Sequence, residues 1–327
     1  MKAVVFDFAQ QQFLFSEIPV PEPGDYEVLI QVEACGLNPV DAKIRQWQGM
    51  ITSKPLYWIP GLDVAGSIAA TGRRVTKWKI GDRVLCHGDM FRPFGGLAEY
   101  SIQAADTLLP HPDTAAEVAA ATPCAGWTAW RALTDKLHVT AQDSILITGG
   151  AGGVGSFAIQ LAKHFGLYPI ITTCSEKNAS FVKQLRADHF INYTKEDTPQ
   201  RVAEITQGLG VTTGLDTVGG ENDRILANSL AFEGRMVELV RTVRPEAYDQ
   251  AFMRGLSFHQ LSLGSGHRNG AAGKERMLAA GRRFSALLEQ GAVSVPRLEK
   301  IPLPQVPKAL NKMLEQHTVG KLVAVMV

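Results

Sequence analysis

Cysteine is scarce: the 327 residues hold four, Cys35, Cys86, Cys124 and Cys174, far apart and with no Cys-x-x-Cys pair. That spacing argues against a disulfide framework and predicts reduced thiols in a cytoplasmic protein. An excess of charge of one sign is missing too. Lys and Arg number 33 against 32 Asp and Glu, leaving a formal net charge of +1. No net field therefore favours nucleic acid or a membrane surface, and a substrate need not be strongly charged. Long apolar runs are absent; the longest are strand-length, short of the roughly 20 residues that span a bilayer. The opening residues, Met1 to Asp7, lack the apolar run and small-residue cleavage site of a signal peptide, so no leader is expected.

What is present is an ordinary soluble composition, 45% hydrophobic and 20% charged, in a chain long enough for two domains. Up to about residue 120, Gly and Pro break short strands, as in Pro19-Val20-Pro21-Glu22-Pro23-Gly24 and Ile59-Pro60-Gly61. Strands are expected at Lys2 to Phe8, Glu27 to Cys35, Gly66 to Ala70, Asp82 to Cys86 and Leu97 to Ile102. From 121 to 263 strands alternate with helical stretches. Ser144 to Thr148 is an apolar strand, and Val154, Ala158, Leu161, Ala162 and Phe165 form one helical stripe after it. Pro169 to Thr173, His189 to Tyr193, Gly214 to Val218 and Arg235 to Leu239 continue the series, with a helix near Asn178 to Leu185. Such alternation implies a parallel sheet covered by helices on both faces. After a Gly-rich turn at Gly264-Ser265-Gly266 come a helix near Lys274 to Glu289, a strand at Arg297 to Ile301, a helix near Val306 to Glu315 and a strand at Leu322 to Val327. The expected fold class is α/β, with a discontinuous β-rich domain (1–120 and 264–327) around a doubly wound parallel-sheet domain (121–263).

The strongest local signal is Ile147-Thr148-Gly149-Gly150-Ala151-Gly152-Gly153-Val154-Gly155. It follows a buried strand and opens an amphipathic helix, the place of a dinucleotide fingerprint. Glycines let the backbone turn tightly and let a pyrophosphate approach without Cβ obstruction. The helix start then offers unpaired N–H groups to phosphate. A glycine turn alone often only connects elements; strand and helix on either side make Gly150, Ala151, Gly152, Gly153, Val154 and Gly155 candidate cofactor contacts.

The tip of the next strand reads Thr172-Thr173-Cys174-Ser175-Glu176-Lys177. Ser175 can donate to a phosphate and Lys177 supply its counter-charge, although the same residues could be a helix cap and a solvated lysine. Tyr193, ending the following strand, can add a hydroxyl and a flat face beside the adenosine ribose. Glu176 could instead accept from an NAD ribose, but the combination favours NADP(H).

Asp143 to Lys163 resembles the quinone oxidoreductase (zeta-crystallin-like) signature of the zinc-independent medium-chain dehydrogenases/reductases, with Gln142 departing from the small or acidic residue usual at its start. Asn38-Pro39-Val40-Asp41, Pro60-Gly61-Leu62-Asp63-Val64-Ala65-Gly66, Ala125-Gly126-Trp127-Thr128-Ala129, Asp216-Thr217-Val218-Gly219-Gly220 and Gly320-Lys321-Leu322-Val323 resemble further elements of that family in order. The resemblance implies a GroES-like substrate domain plus a Rossmann domain, with the cofactor between them. It places Asn38 and Thr128 towards the nicotinamide, Gly219 and the backbone near Gly264 beside its carboxamide, and Lys321 among the cofactor residues. Asp41 and Asp63 read as turn-capping or ion-paired carboxylates. Relatives often carry Tyr where this chain has Lys43. The resemblance also implies a homodimer through an edge strand, here near Ser257 to Leu263, where Phe258, Leu261 and Leu263 alternate.

Zinc-dependent relatives need three ligands and an open position. Asn38 and Leu62 stand at two of the ligand positions, with only Cys124 at the third, so no metal is expected. Without a Lewis acid an alkoxide is hard to stabilise, whereas charge delivered to a quinone or a conjugated enone spreads over a π-system. Asn38, Lys43 and Arg45 are the candidate pocket residues, with Trp47, Tyr57, Trp58, Phe91 and Phe94 as aromatic walls for a small apolar or aromatic carbonyl substrate. The alternatives are an enone or enal reductase using the same hydride geometry, and a nucleotide-binding sensor or structural protein with little turnover.

Overall fold

The computed structural model describes residues 1–315 and 318–326. The chain divides into two compact units: Met1–Cys124, Leu263–Glu289 and Arg297–Val327 form one, Ala125–Ser262 and Gln290–Pro296 the other. The sequence reading assigns 290–296 to the first domain. In the structure Gln160 of the second unit donates to the Ser294 carbonyl and accepts from the Ser294 amide, at 3.0 Å each, which draws this segment to the second unit.

The first unit opens with an antiparallel hairpin of β1 (Lys2–Asp7) and β2 (Gln12–Glu17). β2 has no counterpart in the sequence reading, because only Phe13 along it is buried and Phe15 points outward. There follow β3 (Glu27–Leu37), β4 (Asp63–Thr71), β5 (Arg83–His87), β6 (Tyr100–Ala104) and β7 (Leu108–Pro110). The fifth strand expected from the sequence, Leu97 to Ile102, is displaced. Leu97 and Ala98 are buried opposite β1, where the Leu97 carbonyl accepts from Val4, and regular pairing with β3 begins at Tyr100.

The second unit contributes β8 (Ile145–Thr148), β9 (Ile170–Cys174), β10 (His189–Asn192), β11 (Val211–Asp216), β12 (Leu230–Glu238) and β13 (Ser257–Gln260). They pair in the order β10-β9-β8-β11-β12-β13, every pair parallel. Counted from β8 this is 3-2-1-4-5-6, the doubly wound dinucleotide-binding order. Every residue of β8 is buried, as a central strand covered on both faces requires. The helix Gly153–His164 runs on from its tip and buries Phe157, Ala158, Ile159, Leu161 and Ala162. Val154 and Phe165, placed on the inner stripe from the sequence, lie only half-buried at its ends.

The chain then re-enters the first unit through a 3-10 segment, Leu263–Arg268, where a turn is expected, and a helix, Gly270–Glu289. β14 (Leu298–Pro302) and β15 (Lys321–Val325) complete its seven-stranded sheet, ordered β14-β15-β3-β4-β5-β7 with β6 also on β3. Val327, in the expected final strand, lies outside the described residues. β13 is shorter than expected: Leu261 and Leu263 are buried beyond its end, so the edge alternation stops at Gln260.

Candidate functional site

The second unit gathers its candidate residues at the C-terminal tips of β8, β9, β10 and β11, where open α/β sheets bind ligands. At the tip of β8, Gly149 takes φ +72° and its amide donates to the Thr173 hydroxyl at 3.1 Å; the Gly150 amide donates to the Thr173 carbonyl at 3.1 Å. A Cβ on Gly150 would stand 2.0 Å from the Thr172 hydroxyl, and one on Gly155 2.3 Å from the Gly149 carbonyl. These two glycines let the loop, strand and helix close on one another. Gly152 differs: a Cβ there would meet nothing nearer than 3.4 Å, and no side chain caps the helix that starts beside it. The loop is thus tight on its inner side and open at Gly152, the shape a pyrophosphate needs.

Parallel pairing of Asn192 with Cys174 sets Tyr193, more than half exposed, beside Ser175. The Ser175 hydroxyl accepts from Asn178 Nδ2 at 3.2 Å, and Lys177 is exposed. Glu176, whose carboxylate competes with the NADP reading, is turned aside: its Oε2 accepts from Asn192 Nδ2 at 3.0 Å. On the other flank of β8, Asp216 accepts from the hydroxyl of Thr148 and from the amides of Val218 and Gly219. Gly219 takes φ +77°, with the Val240 side chain 2.7 Å from where a Cβ would be. Thr128 is buried in the short helix Thr128–Arg131.

In the first unit, Asn38 and Lys321 meet in a cluster that the sequence does not assemble. The Lys321 ammonium donates to Asn38 Oδ1 at 2.6 Å and lies 3.7 Å from Asp63 Oδ2. Asn38 Nδ2 donates to Asp63 at 2.9 Å, and Asp63 also accepts from the Cys124 amide. Asp41 accepts from the amides of Asn38 and Gly61, as the turn-capping reading anticipates. All four side chains are buried, Lys321 at 4% exposure. Burial raises Asp41 to about 7, with the Asp63 charge adding to it; burial raises Asp63 to about 6 against the pull of Lys321.

Lys43 and Arg45 part company. Arg45 donates to the Gln11 carbonyl at 2.7 Å and lies over the rings of Phe6 and Phe13, anchored to the hairpin. Lys43 is half-buried, and among the described residues its ammonium has no hydrogen-bond or ion-pair partner. Trp47 sits edge-on to Phe91 at 5.9 Å and near Trp58 at 6.3 Å. Trp47 and Trp58 border a recess with Asp41, Leu62, Asp89 and Arg92. Phe91 and Phe94 are packed against the hydrophobic core of this unit, as is Tyr57. Gly264 approaches His87, which is buried, stacked on His267 at 5.8 Å and held neutral by burial, with Nδ1 unpaired.

The donor set does not suit zinc. Asn38 is occupied by a cation of the chain itself, Leu62 offers no donor, and burial drives the Cys124 thiol far above its ordinary pKa. Among the described residues no cluster of three or more His, Cys, Asp or Glu could hold a metal, and no helix is long and apolar enough to cross a membrane. Sequence reasoning missed Glu238 and His87. A lone carboxylate closing the apolar run Met236-Val237-Glu238 was the available signal for the first.

Residues 24–113 match the alcohol dehydrogenase GroES-like domain, and residues 153–275 match the zinc-binding dehydrogenase family. A chloroplastic quinone oxidoreductase of Triphysaria versicolor is 39% identical over 94% of this chain and 92% of its own length. An Arabidopsis thaliana protein named NADPH-dependent alkenal/one oxidoreductase is 38% identical over 65% of this chain and 58% of its own. Among solved structures, the quinone oxidoreductase of Coxiella burnetii superposes with a TM-score of 0.85 at 28% identity, covering 100% of this chain and 99% of that one. A mycobacterial protein complexed with NADPH gives 0.86 at 27% identity, each chain covered fully. The chain is an oxidoreductase and belongs to the quinone oxidoreductase family of the medium-chain dehydrogenases/reductases.

Proposed function

We propose that this oxidoreductase uses NADPH to reduce a quinone or a similar conjugated carbonyl acceptor, without zinc. The observation that carries the reading is the glycine loop at the tip of β8, tight at Gly150 and Gly155 and open at Gly152. Gly150 to Gly155 receive the pyrophosphate, and Ser175, Lys177 and Tyr193 take the adenosine 2′-phosphate. The withdrawal of Glu176 onto Asn192 removes the acidic group that would repel that phosphate. The resemblance of the chain to a protein solved with NADPH supports the same choice. When bound, the cofactor supplies the hydride.

The chain's own residues then position and shield. A quinone or enone spreads the incoming charge over its π-system, so hydrogen bonds suffice where an alcohol dehydrogenase needs a Lewis acid. The unpartnered Lys43 ammonium is the group left to meet an acceptor oxygen. Asn38 and Lys321 hold each other, which suits a positioning part for Asn38 rather than an acid–base one. Arg45, bound to the hairpin, supports the fold beneath them. Enal and enone reduction, the activity named for the Arabidopsis relative, is the second reading, since both acceptors present the same conjugated carbon skeleton to a hydride. We also assign the chain a homodimer through the edge strand β13.

Loss of NADPH and NADH absorbance, measured in parallel against benzoquinone, phenanthrenequinone and a series of enals, tests this reading. Turnover with NADPH on quinones is expected. Turnover restricted to enals selects the second reading, and tight binding with no turnover on any acceptor overturns both in favour of a sensor.

A further inference from the structure

Asp216 and Glu238 are buried carboxyl groups, at 0% and 1% exposure, closing neighbouring parallel strands in direct register. Among the described residues the hydrogen-bond partners of Asp216 are donors: the Thr148 hydroxyl and the amides of Val218 and Gly219. Those donors suit Asp216 to the part of acceptor. Glu238 uses Oε1 to accept from the amides of Val240 at 2.7 Å and Arg241 at 3.0 Å. Its Oε2 is buried with no hydrogen-bond partner, and the register sets the Glu238 side chain beside that of Asp216. Two ionised carboxylates cannot share such a place, so one proton must lie between them.

We propose that Glu238 is a positioning residue for the cofactor: as a neutral carboxylic acid it donates its proton to Asp216 and ties the loop after β11 to the loop after β12. The proposal rests on the reading that the Gly219 loop borders the nicotinamide half of NADPH. The two loops touch elsewhere as well, through Val240 against Gly219 and through the Arg241 guanidinium on the Gly220 carbonyl. With the proton in place, Gly219 keeps its left-handed turn against Val240. Ionisation of Glu238 sets two negative charges side by side in a dry pocket and drives the loops apart. Burial first, and then the hydrogen bond and charge of Asp216, push Glu238 up to about 8, so this occurs in mildly alkaline solution. Among the described residues the neighbouring cations are taken up elsewhere: Tyr248, which feels the Glu238 charge, donates to Asp223, Asp223 is paired with Arg244 at 2.6 Å, and the Arg241 guanidinium donates to the Gly220 carbonyl.

The test compares wild type with Glu238→Gln, which keeps a donor towards Asp216 and an acceptor for Val240 and Arg241 but cannot titrate. Calorimetric binding of NADPH and of 2′,5′-ADP, which lacks the nicotinamide half, is followed from about pH 7 to about pH 9.5. For wild type, NADPH affinity is expected to fall above about pH 8, by at most about tenfold per pH unit, while 2′,5′-ADP affinity stays flat. The glutamine variant is expected to bind both with no such fall. Infrared difference spectra, wild type minus variant, give a second readout: a neutral carboxyl band at neutral pH from Glu238, with the contributions of Asp41 and Asp63 cancelling. Should both ligands bind and wild type show no fall that the variant removes, or should the difference spectrum hold no carboxyl band, the positioning proposal is overturned. Absence of binding by either ligand overturns the cofactor reading instead.

Discussion

The Lys321 ammonium lies 2.6 Å from the side-chain oxygen of Asn38, joining β15 to the turn that follows β3 inside a cluster closed to solvent. It is the nearby positive charge for Asp63, at 3.7 Å, and also lowers the pKa of Asp41. Removing it strands at least one buried carboxylate. Lys321→Met is therefore expected to cost about 3–5 kcal/mol in urea unfolding at neutral pH. Adding Asp63→Asn to that variant should recover part of the loss, because the orphaned charge goes with it. A loss near zero would mean that water reaches the cluster.

The same carboxyls set a pH dependence. Asp41 and Asp63 sit near 7 and 6 in the folded chain, against about 3.9 when unfolded. Between about pH 4 and pH 7 the folded chain thus holds protons that the unfolded chain has lost. The pair therefore makes stability fall as pH rises through that window. Glu238, near 8, carries the fall further, and His87, held near 3 by burial, opposes it below about pH 6.5. Asp143 and Asp223 are lowered despite burial, by hydrogen bonds from Thr140 and Arg244 among others, and act only below about pH 4. Between about pH 5 and about pH 7.5 the urea midpoint of wild type should lose more, or gain less, than that of Asp41→Asn. An identical pH dependence in wild type and Asp41→Asn would contradict the burial of the pair.

Two glycines of the β8 loop should separate fold from ligand. Gly155→Ala drives a methyl to 2.3 Å from a backbone oxygen that cannot step aside, so destabilisation of about 1–3 kcal/mol or more is expected. Gly152→Ala meets nothing closer than 3.4 Å at an ordinary φ of −76°. It should melt like wild type yet bind NADPH at least several-fold more weakly, as read by calorimetry. Equal NADPH affinity in Gly152→Ala would place the pyrophosphate elsewhere.

Coenzyme choice should depend on two contacts at the β9 tip. Lys177→Ala should lose most of the preference of NADPH over NADH, measured as the ratio of dissociation constants. Asn192→Ala should move the ratio the same way by a different route, freeing Glu176 from its 3.0 Å hydrogen bond to meet the adenosine ribose. Glu176→Gln in the Asn192→Ala background should restore the preference. If Glu176→Gln has no effect there, the carboxylate plays no part in selection.

The order of strands and the placing of the glycine loop were legible because local signals decide them: an apolar run, a glycine cluster and an amphipathic helix stand in unbroken succession from Ser144 to Phe165. The polar clusters were not, since their members come from distant parts of the chain. Lys321 is 283 positions from Asn38, and no periodicity announces that they meet. Glu238 looked like an ordinary strand end until its register partner Asp216 was placed beside it. β2 escaped because a hairpin strand with one buried side chain carries almost no pattern, and Leu97 was misplaced because burial without ladder pairing looks the same in sequence as a strand.

The insertion of β15 between β3 and β14 has a consequence for how the polypeptide matures on the ribosome. β3 leaves the Ala34–Leu37 stretch of one edge unpaired, beyond the part that β6 covers, until Lys321–Val325 emerges, by which time the whole parallel-sheet unit has been synthesised and can already be folded. The first-made half of the molecule is thus the last to be sealed. During translation it carries an open sheet edge of the kind that chaperones recognise and that neighbouring nascent chains can invade.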